Sequence, residues 1–272
     1  MMLDFREKPI IALITDYGLR DTYVAQVKAV ILSYRRDVVL VDVTHEVEPF
    51  NEVEAAFLIT TYVPYMPPGT IHVCVIDPGV GGTRKPIIIH TVKGDIFIGP
   101  DTGLMIPAAE RLGIINVYEI DESRFPRRFS ETFHGRDIFA HAAGKLITGA
   151  SLDEIGKQLL EYNRLTLPKP VKIGEYIEAT ILHVDRFGNI ITNLKPEDLN
   201  IEFGELVEIS TPSSNVITCR FVESYSRVGV GDYLATIGGS GYIELSINRG
   251  NAAERLRIKS GDKLRVRLVE NI

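Results

Sequence analysis

TIHVCVIDPGVGGTR, residues Thr70–Arg84, passes from a β-branched apolar run into an aspartate and then a glycine-rich turn. The apolar run is short and bounded by turn residues, so it reads as a buried strand. Asp77 stands where that strand ends, and the glycines behind it allow a tight turn. Three other runs share the texture: IIALIT (Ile10–Thr15), VVLVDV (Val38–Val43) and PIIIHTV (Pro86–Val92). Together they predict a largely parallel, buried sheet.

Helical patterns fall between these runs. In DTYVAQVKAVILSY, Val24, Val27 and Ile31 recur at helical spacing, as do Ala25 and Ala29. Asn51–Tyr62 reads the same way, and a further helix is expected over Ile138–Ile147, capped by Asp137. Alternation of this kind implies an α/β layer fold. Around LTLPKPVKIG (Leu165–Gly174) the texture changes to that of a linker. Downstream, YIEATILHV, LVEIST, VITCRFV, YLATI, YIELSI and KLRVRLV alternate in polarity. They predict a smaller antiparallel β-barrel or sandwich. The expected organisation is an N-terminal α/β domain over residues 1–168 and a C-terminal β domain over 169–272.

The composition suits a globular protein, with 45% apolar and 24% charged residues. A net charge of −6 argues against general nucleic-acid binding. The basic stretch Arg249–Arg267 reads as a solvated face, with polyanion contact as the alternative. No apolar run approaches a membrane span, and MMLDFREKP lacks a signal-peptide core, so a cytoplasmic location is expected. Cys74 and Cys219 are far apart and the six histidines are scattered, so no metal site is expected.

Polar residues collect at the predicted strand ends: Asp16 after the first, Asp42 and His45 after the second, Asp77 and Arg84 after the third. Ligands of open parallel sheets bind there, although a single Asp at such a place also serves as a turn or cap residue. PGVGG lacks both the GxGxxG spacing and the phosphate-loop lysine, so it carries no nucleotide fingerprint. Asp101 in GPDTGL reads as a helix cap. ETFHGRDIFA (Glu131–Ala140) holds His134, either a satisfied structural histidine or a catalyst. If the fold unites it with Asp77 and Arg84, the arginine keeps the carboxylate ionised, and the carboxylate raises the histidine pKa. Such a cluster would orient and deprotonate a water. In the C-terminal part, VDRFGNIITN (Val184–Asn193) and GGSGYIELSINRGNAA (Gly238–Ala253) mix aromatic, Asn and Ser residues. Backbone turns explain that mixture, and so does recognition of a nucleobase.

ITDYGLRDTYVAQVKAVI, VIDPGVGGTR, IGPDTGL, TFHGRDIFA, VDRFGNIITN and GSGYIEL occur in this order over nearly the whole chain. In these motifs the chain closely resembles the S-adenosyl-L-methionine (SAM) hydroxide adenosyltransferases, or SAM hydrolases, relatives of the SAM-dependent fluorinase and chlorinase. The resemblance implies attack of water at C5′ of the ribose, giving adenosine and L-methionine, with no cofactor. It also implies preference for the R-sulfonium epimer. A homotrimer is implied, with SAM held between the N-terminal domain of one subunit and the C-terminal domain of the next. The family's catalytic triad falls on Asp77, Arg84 and His134. Asp16 matches the aspartate gripping the ribose hydroxyls, and Phe50 stands where the halogenating relatives have a tryptophan. Asp185, Phe187 and Asn189 match residues around the methionine amino group and the adenine, and Ser240 and Glu244 lie in the loop enclosing the rest of the ligand. The fluorinase has a halide-contacting serine at the position of Gly135, and Tyr and Thr at those of Asp77 and Val80. Water is therefore the expected nucleophile. The alternatives are a SAM- or adenosine-binding protein without turnover and a SAM-dependent chlorinase.

Overall fold

The computed structural model describes residues 8–213 and 215–269, and the chain divides into two compact units, Met1–Leu167 and Pro168–Ile272. The first unit is built on a seven-stranded sheet. Its strands and principal helices, in chain order, are β1 (Ile10–Thr15), α1 (Tyr23–Tyr34), β2 (Val39–Thr44), α2 (Glu52–Tyr62), β3 (Ile71–Val75), β4 (Pro86–Thr91), β5 (Ile96–Pro100), α3 (Ile106–Leu112), β6 (Ile114–Ile120), α4 (Ala140–Ile147), α5 (Leu152–Ile155) and β7 (Gly156–Gln158). All four predicted apolar runs are strands.

Side chains alternate across the sheet. Ile71, Val73 and Val75 of β3 join a core with Val27 and Ile31 of α1 and Ala142, Ala143 and Leu146 of α4. Cys74 and Ile76 face the opposite core, with Ala55 and Ile59 of α2 and Ala108 and Ala109 of α3. Because both faces are buried, the strands read as continuous apolar runs rather than alternating ones.

The strand order is β2-β1-β3-β5-β4-β6-β7. The pairings β1–β2, β1–β3 and β3–β5 are parallel. Those of β4 with β5 and β6, and of β6 with β7, are antiparallel. The chain leaves β1 for β2 on one side and returns to β3 on the other. The crevice beyond the carboxyl ends of β1 and β3 is thus the switch point at which open α/β sheets bind ligands. Asp16 and Asp77 lie just past those two ends.

Two expected helix caps are corrected. Asp137 does not cap the helix before Ile147; it lies within a π-helical turn, Gly135–Phe139, that leads into α4. Its carboxylate instead accepts the backbone N–H groups of Phe129 (3.0 Å) and Ser130 (2.8 Å) and pairs with Arg136. Asp101 does not cap α3, whose cap position is Met105; it accepts the Asn163 N–H at 2.9 Å. In both cases a distant backbone donor captures a carboxylate that local preference assigns to a helix end.

The second unit contains β8 (Val171–Ile173), β9 (Tyr176–Val184), β10 (Ile190–Thr192), α6 (Pro196–Leu199), β11 (Leu206–Ser210), β12 (Val216–Phe221), β13 (Tyr233–Ile237), β14 (Ile243–Ile247), α7 (Ala252–Leu256) and β15 (Lys263–Leu268). The order β9-β10-β14-β13-β12-β11-β15 closes on β9, giving a seven-stranded barrel with β8 paired outside it on β9. Period-two residues fill the interior: Val207 and Ile209, Ile217, Cys219 and Phe221, Leu264 and Val266. All but one of the barrel pairings are antiparallel; β12 and β13 run parallel.

Candidate active site

At the switch point, β1 and β3 deliver two carboxylates to one polar cluster. Asp77 receives the Arg84 guanidinium side-on: Nε donates to Oδ1 at 2.9 Å and Nη2 donates to Oδ2. Both side chains are largely buried, with 7% and 9% of their surface exposed. Arg84 reaches Asp77 because the chain turns back between them. Gly81 there has φ +75°, and a Cβ on it would lie 2.9 Å from the Glu131 carbonyl. Arg84 Nη2 also contacts His134 Nδ1, which fixes Nδ1 as the acceptor in that contact. Asp77, Arg84 and His134 therefore form one chain of contacts with the arginine in the middle.

That order corrects one expectation. Burial pushes the His134 pKa down, Arg84 and Arg128 push it further, and Asp77 opposes them more weakly. Burial is the larger cause, and the guanidinium interposed between carboxylate and imidazole adds a downward push that outweighs the upward one from Asp77. The buried Nη1 of Arg84 has no hydrogen-bond partner among the described residues. A buried cationic donor left without an acceptor is costly, so its direction marks where an acceptor atom of a ligand or water is favoured.

Asp16 joins the cluster from β1. Its Oδ2 accepts the Phe50 N–H at 3.0 Å. Burial raises its pKa, and the nearby Asp77 charge adds to the rise against the Phe50 hydrogen bond. Phe50 itself has φ +65° and is 69% exposed. A bulky side chain at positive φ is strained, and strain of this kind collects at ligand sites. Asp42 and His45 do not share the cluster; His45 bridges Thr15 Oγ1 (2.9 Å) and Asp42 (3.1 Å), and Lys28 bonds Asp42.

A second cluster lies in the barrel unit. Asp185 Oδ1 accepts the N–H groups of Phe187 and Asn189, both at 2.9 Å, and its Oδ2 accepts from Asn189 Nδ2 at 2.8 Å. The turn depends on Gly188 at φ +81°, where a Cβ would strike the Asn251 side chain. Phe187 is 74% exposed. Buried Glu244 accepts from Tyr225 Oη and from Ser246 Oγ, and Asn189 reaches Tyr225 at 3.4 Å. Asp185, Asn189 and Glu244 are thus united through Tyr225. Ser240 stands in the turn between β13 and β14, and none of these bonds runs through it.

Four members of these clusters were not picked out from sequence. Tyr17 follows Asp16, and burial together with the Asp16 and Asp77 charges pushes its pKa up. Burial and the Asp77 charge likewise raise Glu52. Arg128 contacts His134, and Tyr225 contacts Glu244. Tyr17 had a usable signal in its adjacency to Asp16. Arg128 and Tyr225 had none, since Arg128 arrives from a loop and Tyr225 from a single 3-10 turn, Tyr225–Arg227.

Two family profiles match this chain: the SAM hydroxide adenosyltransferase N-terminal domain over residues 11–156 and the corresponding C-terminal domain over 179–265. The chain belongs to this family. Over 265 residues it is 36% identical to the (R)-S-adenosyl-L-methionine hydrolase of Methanocaldococcus jannaschii, covering 94% of this chain and 95% of that one. A fluorinase of Actinopolyspora mzabensis is 27% identical, with 97% and 99% covered. Among solved structures, an uncharacterized conserved protein from Thermotoga maritima superposes with a TM-score of 0.87 at 34% identity, covering 94% of this chain and 99% of its own. Every catalytic residue the resemblance implied falls within the first matched domain.

Proposed function

We propose that this protein hydrolyses SAM, with the R-sulfonium epimer as substrate, to adenosine and L-methionine. The observation that carries the reading is the buried Asp77–Arg84–His134 cluster at the β1/β3 switch point, with Arg84 Nη1 unpartnered among the described residues. Relatives of near-identical length that bear the name (R)-S-adenosyl-L-methionine hydrolase support it.

In this reading a water oxygen forms the bond to C5′ while the C5′–S bond breaks. The electron pair of that bond goes to sulfur, which leaves as the neutral thioether of methionine. One water proton is released, first to the Asp77–His134 pair. The leaving group needs no general acid, and no cofactor is required. The barrier lies in aligning and activating a poor nucleophile, and holding water in line with the C5′–S bond lowers the entropic part. Arg84 would hold the water oxygen through Nη1, while Asp77 and His134 accept or relay the proton. Asp16 would bind the ribose hydroxyls, with Phe50 against the sugar; Asp185, Phe187, Asn189, Ser240 and Glu244 would serve the adenine and methionine ends.

The same reading includes a homotrimer, a cytoplasmic location and independence from metal ions. Among the described residues no helix is long and apolar enough to cross a membrane. Sedimentation at the mass of three chains and an unchanged rate after dialysis against a chelator are the expected results. The deciding experiment is chromatography of products from the R and S epimers, each incubated with and without chloride. Adenosine and methionine in both buffers, faster from the R epimer, is the outcome expected. A 5′-chloro nucleoside would identify a chlorinase, and intact SAM a binding protein without turnover.

A further inference from the structure

His134 carries a guanidinium at each ring nitrogen. Arg84 Nη2 meets Nδ1, and Arg128 Nη1 stands 3.1 Å from Nε2. Arginine only donates, a neutral imidazole offers one acceptor, and an imidazolium offers none. The ring therefore faces two donors with at most one lone pair in its plane. Arg84 is fixed by two bonds to Asp77 inside the sheet crevice. Arg128 arrives from the segment between β6 and the π-helical turn, where Glu122 and Glu131 grip it by separate nitrogens.

We infer that Arg128 is a positioning residue for His134, a second guanidinium that keeps the imidazole neutral and its one lone pair free of a proton. The inference rests on the hydrolase reading only for the purpose that neutrality serves. A second proton on the ring would place an N–H against each guanidinium, with no acceptor on either side. The charged groups facing the ring are Arg84 and Asp77 from the β3 side and Arg128 and Glu122 from the loop, with Glu131 one contact further out. After burial, Arg84 and Arg128 are the larger influences and act downward, while Asp77 and Glu122 act upward. The two acidic partners of Arg128 hold its side chain in place. Arg128 thus extends the range over which His134 keeps a lone pair towards acid pH.

The test is a titration of His134 by ring-resolved NMR in the parent, Arg128→Gln and Arg128→Lys, beside pH profiles of SAM turnover. Arg128→Gln should raise the His134 midpoint towards the ordinary value near 6.5. The acidic limb of kcat should move up with it, so that turnover falls several-fold on the acid side and little above neutrality. Arg128→Lys restores the charge and should return both towards the parent. An unshifted His134 midpoint in folded Arg128→Gln overturns the inference. So does a loss of turnover equal at every pH, which marks a merely structural role. If the parent does not turn over SAM at all, the hydrolase reading fails, while the NMR midpoints still decide what Arg128 does to His134.

Discussion

The Tyr17 phenol oxygen stands 2.3 Å from the point that a Cβ on residue 135 would occupy. Tyr17 is held there by edge-on contacts with Tyr23 and Phe133, which also contact each other. Position 135, next to His134, is therefore closed to any side chain while Tyr17 keeps its place. A serine there, as the resemblance to the fluorinase implies for that enzyme, would need the same space. Gly135→Ala should destabilise by about 1–3 kcal/mol, the usual cost of overpacking. Tyr17→Phe removes the colliding oxygen but leaves the ring carbons at 3.2 and 3.3 Å from the same point. The double variant should therefore recover part of the loss in thermal unfolding, and simple additivity of the two changes would refute the coupling.

The proposed acid–base pair, Asp77 and His134, makes the second prediction. Asp77→Asn keeps the shape of the side chain but removes its charge, and His134→Ala removes the imidazole. Each should lower kcat for SAM by about 10²–10⁴, the range for losing acid–base assistance. Substrate affinity should change far less. Unchanged turnover in both purified variants would take the pair out of the mechanism.

Phe50 makes a prediction with opposite signs in two assays. Its φ of +65° costs about 1–3 kcal/mol for a bulky residue, against about 0.5–1 kcal/mol for the extra unfolded-state freedom of glycine. Phe50→Gly should raise the unfolding midpoint and weaken adenosine binding by calorimetry. A fall in both would show that the side chain stabilises the free protein. Asp16→Ala removes the acceptor of the Phe50 N–H and should weaken adenosine binding as well.

Much of this was legible in the chain because it rests on periodicity. Runs such as IIALIT and TIHVCVI are short and mostly apolar, and the barrel strands alternate, so element type followed. Strand direction did not, because a period of two is the same in either direction; PIIIHTV proved antiparallel to both its neighbours. The Asp137 and Asp101 caps failed because a carboxylate takes whichever donor the tertiary fold brings. The Asp77–Arg84–His134 association was expected, but not that the arginine would stand between the other two. Burial is the largest cause of the downward His134 shift and that order adds to it, and residue types alone contain neither.

Stability should fall on mild acidification. Burial lowers the pKa of His72, His90, His134 and His141 below the ordinary 6.5. Below that value the unfolded chain takes up protons that the folded state still refuses, so acid favours unfolding. The contribution is complete above about pH 6.5 and is lost as pH drops through the lower folded values. Asp16, Asp101 and Glu52, raised by burial, oppose this only nearer their own carboxylate range. The unfolding midpoint should hold steady from pH 8 to 7 and decline from 6.5 towards 5. A midpoint that rises over that span would contradict the assignment.

Tyr225→Phe tests the barrel cluster. Glu244 is 4% exposed and receives the Tyr225 hydroxyl and Ser246 Oγ. Removing the phenol oxygen leaves a buried carboxylate short of one donor, at a cost of about 1–3 kcal/mol. It also removes the group that Asn189 Nδ2 reaches, loosening the Asp185–Asn189 turn beside exposed Phe187. If that turn and Phe187 serve the adenine ring, adenosine affinity should fall together with barrel stability. Tyr225→Phe combined with Glu244→Gln should recover the stability, because a neutral amide needs the lost donor less. Affinity should stay low, since the turn remains unsupported. Recovery of both would assign Tyr225 to the fold alone and leave the nucleobase reading of the barrel cluster without support.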